Sequence, residues 1–353
     1  MSDASRLAYL HARVSLLAGR LLDTRQLDSL IDQGISQEQP LDAAERGASG
    51  SAVATQYSGD LDQNNVTILL RELAVLIRPL SGASRDLLSY WAHRFEINNL
   101  KVIIRGKMAG QPQRLIEEQL LDMGHFTSLP IAELLQSDTP AELLRRLEKT
   151  PYAEIARQVR QLLEQGEAMF ALDAALDRRY FAGLSRRSRA SDGSAGELLR
   201  SIVGSIIDRV NLVWLLRYRF AYNLPPSQAY YLLIPASHRL SAQHLQLLSQ
   251  QPTFDDAIGN LPQPFAGLLA GCANTTEATL RLEFETWRIA AHALNHSAFN
   301  VARALAYMVL RERDLRRLRA ILRGHDMNMD ASMIRAALGL SGSLAANAPA
   351  TTG

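Results

Sequence analysis

The stretch IDRVNLVWLLRYRF, from Ile207 to Phe220, has helical periodicity but places an acid and an amide on its apolar face. At 100° per residue, with Asp208 at 0°, Asn211 lies at about −60°, beside leucines at about −20° to 80°. Arg217 lies at about 180°, on the opposite side of the helix. A helix that buries such a pair must provide it with hydrogen-bonding partners, since an unpaired buried charge costs several kcal/mol.

The same pattern of acid-x-x-Asn-Leu-x-x-aliphatic-aliphatic-Arg occurs three times. Its copies, whose acids lie 112 and then 106 residues apart, consist of Glu96, Asn99 and Arg105; Asp208, Asn211 and Arg217; and Asp314, Arg317 and Arg323. In the third copy an arginine replaces the asparagine. Repeats of this length are too long for a solenoid of about 34–47 residues per repeat and predict three related helical units with pseudo-threefold symmetry. The acids are interpreted as structural links between helices, with a threefold carboxylate site as the less favoured reading.

Helical periodicity dominates the rest of the chain, so the predicted fold class is all-α. The predicted units are residues 1–165, which include a Gly/Ser-rich loop at about 43–59, residues 166–272 and residues 273–340, followed by a disordered tail at 341–353. No convincing strand alternation is present, although the short segment AYYLLIP at 229–235 is ambiguous.

Three long helices have boundaries that the sequence indicates. One is expected from about Ala195 to Tyr222, and another helical run from Thr276 to Arg323 should be broken near Asn295–Asn300. A third should begin after a Ser84 cap and end near Arg105, because Gly106 can provide the C-terminal stop.

Composition indicates a soluble protein that can bury a large core. Of the 353 residues 47% are hydrophobic, the net charge is only +2, and Cys272 is the single cysteine. The first residues do not form a signal peptide, and no stretch approaches the roughly 18 apolar residues of a membrane span. A lone cysteine excludes an intramolecular disulfide and fits a reducing compartment.

Several short pieces, in their order and spacing, resemble one protein family. They are YLHARVSLLAGRLL (9–22), FEINNLKVIIRGK (95–107), LDAALDRRYFAGL (172–184), DRVNLVWLLRYR (208–219) and AYMVLRERDLRRLRAILRG (306–324). Together they resemble the C subunit of bacterial and archaeal V-type (A-type) rotary ATPases, which is similar to the d subunit of eukaryotic vacuolar ATPases. The sequence departs from the pattern at Arg317 and in the loop at about 43–59.

The resemblance implies a funnel of three helical units on the cytoplasmic face of a membrane. Its partners would be the rotor ring of proteolipid subunits and the central-stalk subunits, between which it would transmit torque for ATP-linked proton or sodium transport. It implies a peripheral protein with no catalytic site, no cofactor, no bound metal, no nucleic-acid partner and no membrane span of its own. If the motif acids are structural, Asp208→Ala should lower stability and assembly.

The residues alone leave three other functions open. The chain could be a soluble helical scaffold or regulator unconnected with a membrane. It could be a helical metal enzyme that uses His292 and His296 together with Glu285, which lies seven residues before His292 on the same helix face. Ordinary interhelical histidines are the favoured interpretation. It could bind RNA through the arginine-rich run Arg311–Arg323, although a solvated helix face is the favoured interpretation and no stacking aromatics are interleaved. A Walker P-loop is absent.

Overall fold

A computed structural model describes residues 2–33, 61–150, 152–164, 169–190, 193–236 and 238–340. All regular structure within these ranges is helical, which confirms the all-α class. The predicted loop at about 43–59 and the predicted tail at 341–353 lie outside the described residues.

The elements fall into a short N-terminal pair and three successive groups. The N-terminal pair is α1 (Asp3–Ala18) and α2 (Thr24–Gln33). The first group is α3 (Leu61–Ile77), α4 (Gly82–Met108), α5 (Gln113–Glu117), a 3-10 turn (Gly124–Phe126), α6 (Ile131–Leu135), α7 (Pro140–Leu147) and α8 (Ala153–Glu164). The second is α9 (Met169–Arg189), α10 (Gly193–Leu216) with a π-helical turn (Arg217–Ala221), α11 (Pro226–Tyr231), α12 (Ala242–Ser249), α13 (Phe254–Gly259) and α14 (Phe265–Leu269). The third is α15 (Thr275–His296), α16 (Val301–Asp326) and α17 (Ala331–Ala337).

Six long helices pack in a closed cycle. Each group opens with a pair of antiparallel neighbours, α3 with α4, α9 with α10 and α15 with α16, and the second of each pair carries the repeated motif. Between groups, α4 packs on α9, α10 packs on α15, and α16 returns to α3. The motif helices α10 and α16 also contact each other. The last long helix thus closes the body against the first.

The N-terminal pair belongs spatially with the third group. Helix α1 buries Leu10, Val14 and Leu17 and packs on α16, while α2 packs on α17. Arg335 of α17 completes this contact with an ion pair to Asp32 of α2 at 2.9 Å. The predicted unit boundaries stay a prediction, but these contacts join the start of the first unit to the third.

The expected long helices are present, with one boundary displaced. The helix expected from 195 to 222 is α10 with its π-helical turn, and the helical run after 276 is broken at 297–300. The expected stop at Gly106 is wrong, because α4 continues to Met108. Gly106 lies inside the helix, where a Cβ atom would come within 2.5 Å of Ile116 Cγ1. The glycine therefore permits close packing and does not end the helix.

The ambiguous segment at 229–235 is not a strand. Its first residues complete α11, and the chain then turns irregularly toward α12. Leu232, Leu233 and Ile234 are nonetheless buried, the first two of them in a second hydrophobic cluster that fills the second group. The apolar side chains of this short run are therefore explained by their burial in irregular structure directly after α11.

Candidate functional site

The first motif copy ties α4 to the irregular chain that follows it. Glu96 is fully buried and accepts hydrogen bonds from the backbone N–H groups of Ser128 and Leu129, 32 and 33 residues further on. The Asn99 side chain accepts from the Leu121 N–H at 2.8 Å and donates to the Leu121 carbonyl at 2.7 Å. The remaining contacts of the Glu96 carboxylate are with the side chains of Thr127, Ser128, Tyr152 and His93.

The second copy makes the same connection with fewer donors. Asp208 accepts from three backbone N–H groups, those of residues 238–240, at 3.1, 2.8 and 3.4 Å. Asn211 accepts from the Ile234 N–H at 2.8 Å and donates to the Ile234 carbonyl at 3.2 Å. The loop bonded by Asn211 lies 23 residues further on, against 22 for Asn99. In both copies the acid and the amide hold a loop of their own group against the motif helix.

The third copy holds the other end of the chain. Asp314 is fully buried and accepts a hydrogen bond from the Leu22 N–H at 2.8 Å, across a sequence separation of 292 residues. Its neighbour Arg313, also buried, donates to the same carboxylate at 2.8 Å. Arg317, which replaces the asparagine, holds no loop by an amide pair and lies over the rings of Phe284 and Trp287. The N-terminal segment takes the place of the missing loop.

Burial acts in the same direction on Glu96 and Asp208, but the donors differ. Burial raises the pKa of Glu96, yet hydrogen bonds from His93, Tyr152 and the backbone outweigh it and lower that pKa to about 2. At Asp208 burial is stronger than the three backbone N–H groups, so the pKa of this carboxyl is raised. The pKa values of the two carboxyls, which occupy equivalent places in the repeat, therefore shift in opposite directions because only Glu96 has side-chain donors.

The motif arginines lie on the outside of the body. Arg105 is 52% exposed and pairs with Asp173 of α9, so it links two neighbouring groups. Arg217 and Arg323 are exposed, and neither makes an ion pair with any residue that the structure describes. The structure does not bring the nine motif residues together. The three acids and the two asparagines serve three separate contacts of the motif helices, and the arginines take no part in these contacts.

A second set of charges, which sequence reasoning missed, does come together. The central network consists of Arg94 of α4, Arg209 of α10, Glu283 of α15, and Glu312 and Arg316 of α16. Its ion pairs join Arg94 to Glu312 at 2.7 Å and join Glu283 to Arg209 at 3.3 Å and to Arg316 at 3.1 Å. All three motif helices contribute to it. Arg94 and Glu312 each precede a motif acid by two residues, a regularity that could have indicated the network.

Water reaches every side chain of the central network. Its side chains are 16–45% exposed, so none of them is fully buried. Burial lowers the pKa of Arg209. Burial raises the pKa of Glu312, but the neighbouring charges of Arg94 and Arg316 outweigh it, so the pKa of Glu312 is lowered. The network carries three cations and two anions, so it presents one net positive charge.

Comparison with known proteins identifies the family. A family model described as ATP synthase (C/AC39) subunit matches residues 10–337. The chain belongs to the ATP synthase (C/AC39) subunit family. A relative from Methanocaldococcus jannaschii, named as the C subunit of an A-type ATP synthase, is 24% identical over 348 residues, which cover 95% of this chain and 87% of the relative.

Two further relatives carry related names. The C subunit of the A-type ATP synthase of Methanosarcina mazei is 25% identical over 347 residues, which cover 94% of this chain and 92% of the relative. The C subunit of the V-type ATP synthase of Thermus thermophilus is 25% identical over 209 residues, which cover 59% of this chain and 62% of the relative. The resemblance to the C subunit of V-type and A-type ATPases is thereby confirmed.

The alternative metal site gains no third ligand in this member of the C/AC39 family. The rings of His292 and His296 stack with their centroids 4.2 Å apart. Glu285 is engaged by Arg288 at 2.7 Å. Within the described ranges, no three His, Cys, Asp or Glu side chains come close enough to hold a metal ion.

The arginine-rich run of this family member is only partly a solvated face. That interpretation is wrong for Arg311 and Arg313, which are 6% and 2% exposed. Arg311 bonds Glu72 of α3 at 3.2 Å, since α16 is surrounded by α1, α3, α10 and α15. Arg319 pairs with Asp62 at the start of α3. Most of these cations therefore serve contacts inside the body.

No helix in the described part of the chain is long and apolar enough to cross a bilayer.

Proposed function

We propose that the chain is a non-catalytic subunit of the central rotor of a V/A-type ATPase. It couples the membrane ring of proteolipid subunits to the central stalk and transmits torque for ATP-linked proton or sodium transport. It works as a peripheral protein on the cytoplasmic face of the membrane, as a funnel of three pseudo-threefold units, and it needs no cofactor and no nucleic acid.

The observation that carries this proposal is the convergence of the three motif helices on the central network. A socket for a rotating shaft has to be charged and reachable from solvent, and the side chains of Arg94, Arg209 and Glu312, which are 21–25% exposed, have both properties. Torque also requires a body that does not deform. The buried acids meet this requirement, because each one fixes a loop or the N-terminal segment to a motif helix through directional hydrogen bonds.

Apolar side chains at the ends of the motif helices support a contact with the ring. In each group, a residue with left-handed backbone closes the turn after the motif helix, with φ of 63°, 53° and 53° at Gly110, Asn223 and Asn328. Large apolar side chains that are 39–73% exposed lie at or beside these turns: Met108, Leu115, Tyr222, Met327 and Met333. Exposed apolar groups that recur with the repeat suit a partner that is itself built from repeated subunits.

The stalk contact can be tested by reversing one charge of the central network. Tagged chain is used to retain central-stalk subunits from detergent-solubilised membranes that contain the ATPase. We expect Arg316→Glu to lose the stalk subunits, while Arg145→Glu, an exposed arginine on α7, retains them. Arg316→Gln, which removes the charge without placing a third acid beside Glu283 and Glu312, should weaken retention without disturbing the fold. Retention that is equal in all variants contradicts the socket.

The ring contact can be tested with the same preparation. We expect Met327→Asp combined with Tyr222→Asp to lose the proteolipid ring and keep the stalk subunits, because two carboxylates would have to be buried at the contact. Circular dichroism checks that the variant is folded. If folded wild-type chain retains neither ring nor stalk, the proposed function is wrong.

A further inference from the structure

An apolar cleft opens between α9, α11 and α12 in the second group. Its volume is about 800 Å³, which is within the range of sites for small-molecule ligands. Leu233, Ile234 and Leu245, each less than 5% exposed, line it with buried aliphatic side chains. This surface is distinct from the central network and from the turns that end the motif helices.

One cation stands at the edge of the cleft. Arg178 of α9 is the only charged side chain among the described residues that line it. Its guanidinium lies 5.2 Å from the ring centroid of Tyr231, which is 63% exposed. Arg178 Nε is buried without a hydrogen-bond partner, and among the described residues no acid pairs with this side chain. A buried donor that lacks a partner lowers stability, and an acceptor on a ligand that reaches it would remove this cost.

The composition of the cleft restricts the chemistry of its ligand. A single unpaired guanidinium selects one anionic group, and it binds a carboxylate or phosphate ester with two parallel hydrogen bonds. Nucleoside di- or triphosphates need more than one cation or a metal ion, and the described lining contains neither a second cation nor an acid to hold a metal. The aliphatic lining instead favours an extended hydrocarbon chain.

We propose that this cleft binds a single-chain anionic amphiphile, with the anionic head on Arg178 and Tyr231 and the aliphatic chain along Leu233, Ile234 and Leu245. Such a molecule is either a free long-chain carboxylate or one chain of an anionic phospholipid. The proposal is independent of the rotor function, because it uses none of the residues assigned to the stalk or the ring.

Calorimetric titration with laurate below its micellar concentration tests the proposal. We expect wild type to bind laurate, Arg178→Gln to bind it at least tenfold more weakly, and Arg179→Gln to bind it as wild type does. Arg179 is a matched control, since it is the next residue on α9 and pairs with Glu154 outside the cleft. Dodecanol has the same hydrocarbon chain without the charge. It should bind wild type more weakly than laurate does, and the two ligands should bind Arg178→Gln with equal affinity.

A second variant tests the place of the hydrocarbon chain. Ala242 is exposed and lines the cleft, so Ala242→Trp should obstruct it without affecting the buried core. We expect this variant to lose laurate binding and to keep the circular dichroism spectrum of wild type. Absence of binding to wild type, or equal binding by wild type, Arg178→Gln and Ala242→Trp, overturns the proposal.

Vesicles distinguish the two sources of the amphiphile. If the ligand is a bilayer lipid, wild type sediments with phosphatidylglycerol vesicles and not with phosphatidylcholine vesicles, and Arg178→Gln loses this sedimentation. If laurate binds but sedimentation does not depend on Arg178, the ligand is a free carboxylate.

Discussion

Two carboxylates at equivalent residues, Glu96 and Asp208, perform the same structural task with different donors. Glu96 receives side-chain hydroxyls in addition to backbone N–H groups, whereas Asp208 receives backbone N–H groups alone. The acid on an apolar helix face is therefore explained by the loop that it holds. Each contact is directional, so it specifies the position of the loop as well as stabilising it.

At the residue scale, Asp208→Ala should lower the free energy of unfolding by about 1–3 kcal/mol, because three backbone N–H groups, of which that of Leu240 is buried, lose their acceptor. Asp326→Ala, an exposed acid at the end of α16, should change it by less than about 0.5 kcal/mol. Urea denaturation followed by circular dichroism measures both. An Asp208→Ala protein as stable as wild type would show that the carboxylate does not hold the loop.

Glu96 also predicts a dependence of stability on pH. Its folded pKa of about 2 lies below the ordinary value of 4.5, so the folded state binds the proton less tightly than the unfolded state. The carboxylate thus stabilises the fold fully above pH 4.5, by about 3 kcal/mol, and this contribution is lost as the pH falls from 4.5 toward 2. The free energy of unfolding, measured between pH 6 and pH 3, should fall less in Glu96→Gln than in wild type.

Asp208 provides the opposite comparison. The raised pKa of Asp208 means that the folded state binds the proton more tightly than the unfolded state. Ionisation of Asp208 therefore lowers the free energy of unfolding above the folded pKa, and this loss disappears as the pH falls below that pKa. As the pH is lowered, the free energy of unfolding should therefore fall more in Asp208→Asn than in wild type, whereas it should fall less in Glu96→Gln. Identical pH profiles for the two variants would contradict the assignment of different donor sets.

At the scale of elements, two motif helices have a glycine near their end that packs against an isoleucine of the short helix that follows. A Cβ on Gly106 or Gly324 would come within 2.7 Å of the isoleucine ten residues further on, Ile116 or Ile334. The second group uses a different solution. A π-helical turn inserts a residue there, and both Tyr218 of that turn and Ala229 of α11 are buried. The turns are equivalent although their residues differ.

Gly106→Ala should destabilise the protein by about 1–3 kcal/mol, because the added methyl group meets a fully buried isoleucine. Ile116→Ala alone should cost about 2–5 kcal/mol through the cavity that it leaves. The double variant should cost less than the sum of the two, since the cavity accepts the methyl group. Gly259→Ala, whose Cβ would meet nothing within 4 Å, is the control. Additive costs would show that the two positions do not pack on each other.

Elements and their repetition could be predicted from the sequence, whereas their partners could not. Helical periodicity is local, so the long helices and the three copies of the motif were visible in the chain. The loops held by Asn99 and Asp208 lie more than twenty residues away in irregular structure, where no local pattern marks them. The end of α4 was misplaced for the same reason, since the role of Gly106 depends on Ile116. The central network depends on the packing of four helices.

At the scale of the whole molecule, the seam between α3 and α16 closes the cycle of helices. Tyr307 donates to Glu72 at 2.6 Å, and Arg311 joins the same carboxylate. Asn65 donates to the Leu315 carbonyl at 3.3 Å. Through these contacts the first group is held by the third, so the six helices share their stability around the cycle.

Removal of one hydroxyl at the seam should therefore have an effect on both of its helices. Tyr307→Phe should lower the free energy of unfolding by about 1–3 kcal/mol and accelerate hydrogen exchange in α3 and α16 together. Tyr180→Phe is the matched control, since its buried hydroxyl bonds the Trp91 carbonyl between α9 and α4. In the Tyr180→Phe variant, hydrogen exchange should become faster in α4 and α9 and stay unchanged in α3 and α16. Faster exchange at α16 alone would mean that the seam does not couple the two groups.

The hydrogen bond from Leu22 to Asp314 also determines when the protein can finish folding. Because it spans 292 residues, it forms only after α16 has left the ribosome. Until then, Leu10, Val14 and Leu17 of α1 lack the contact with α16, and the nascent chain carries an apolar stripe that is only partly covered. Closure of the cycle of helices is consequently a late step of biosynthetic folding, because it must wait for the synthesis of α16.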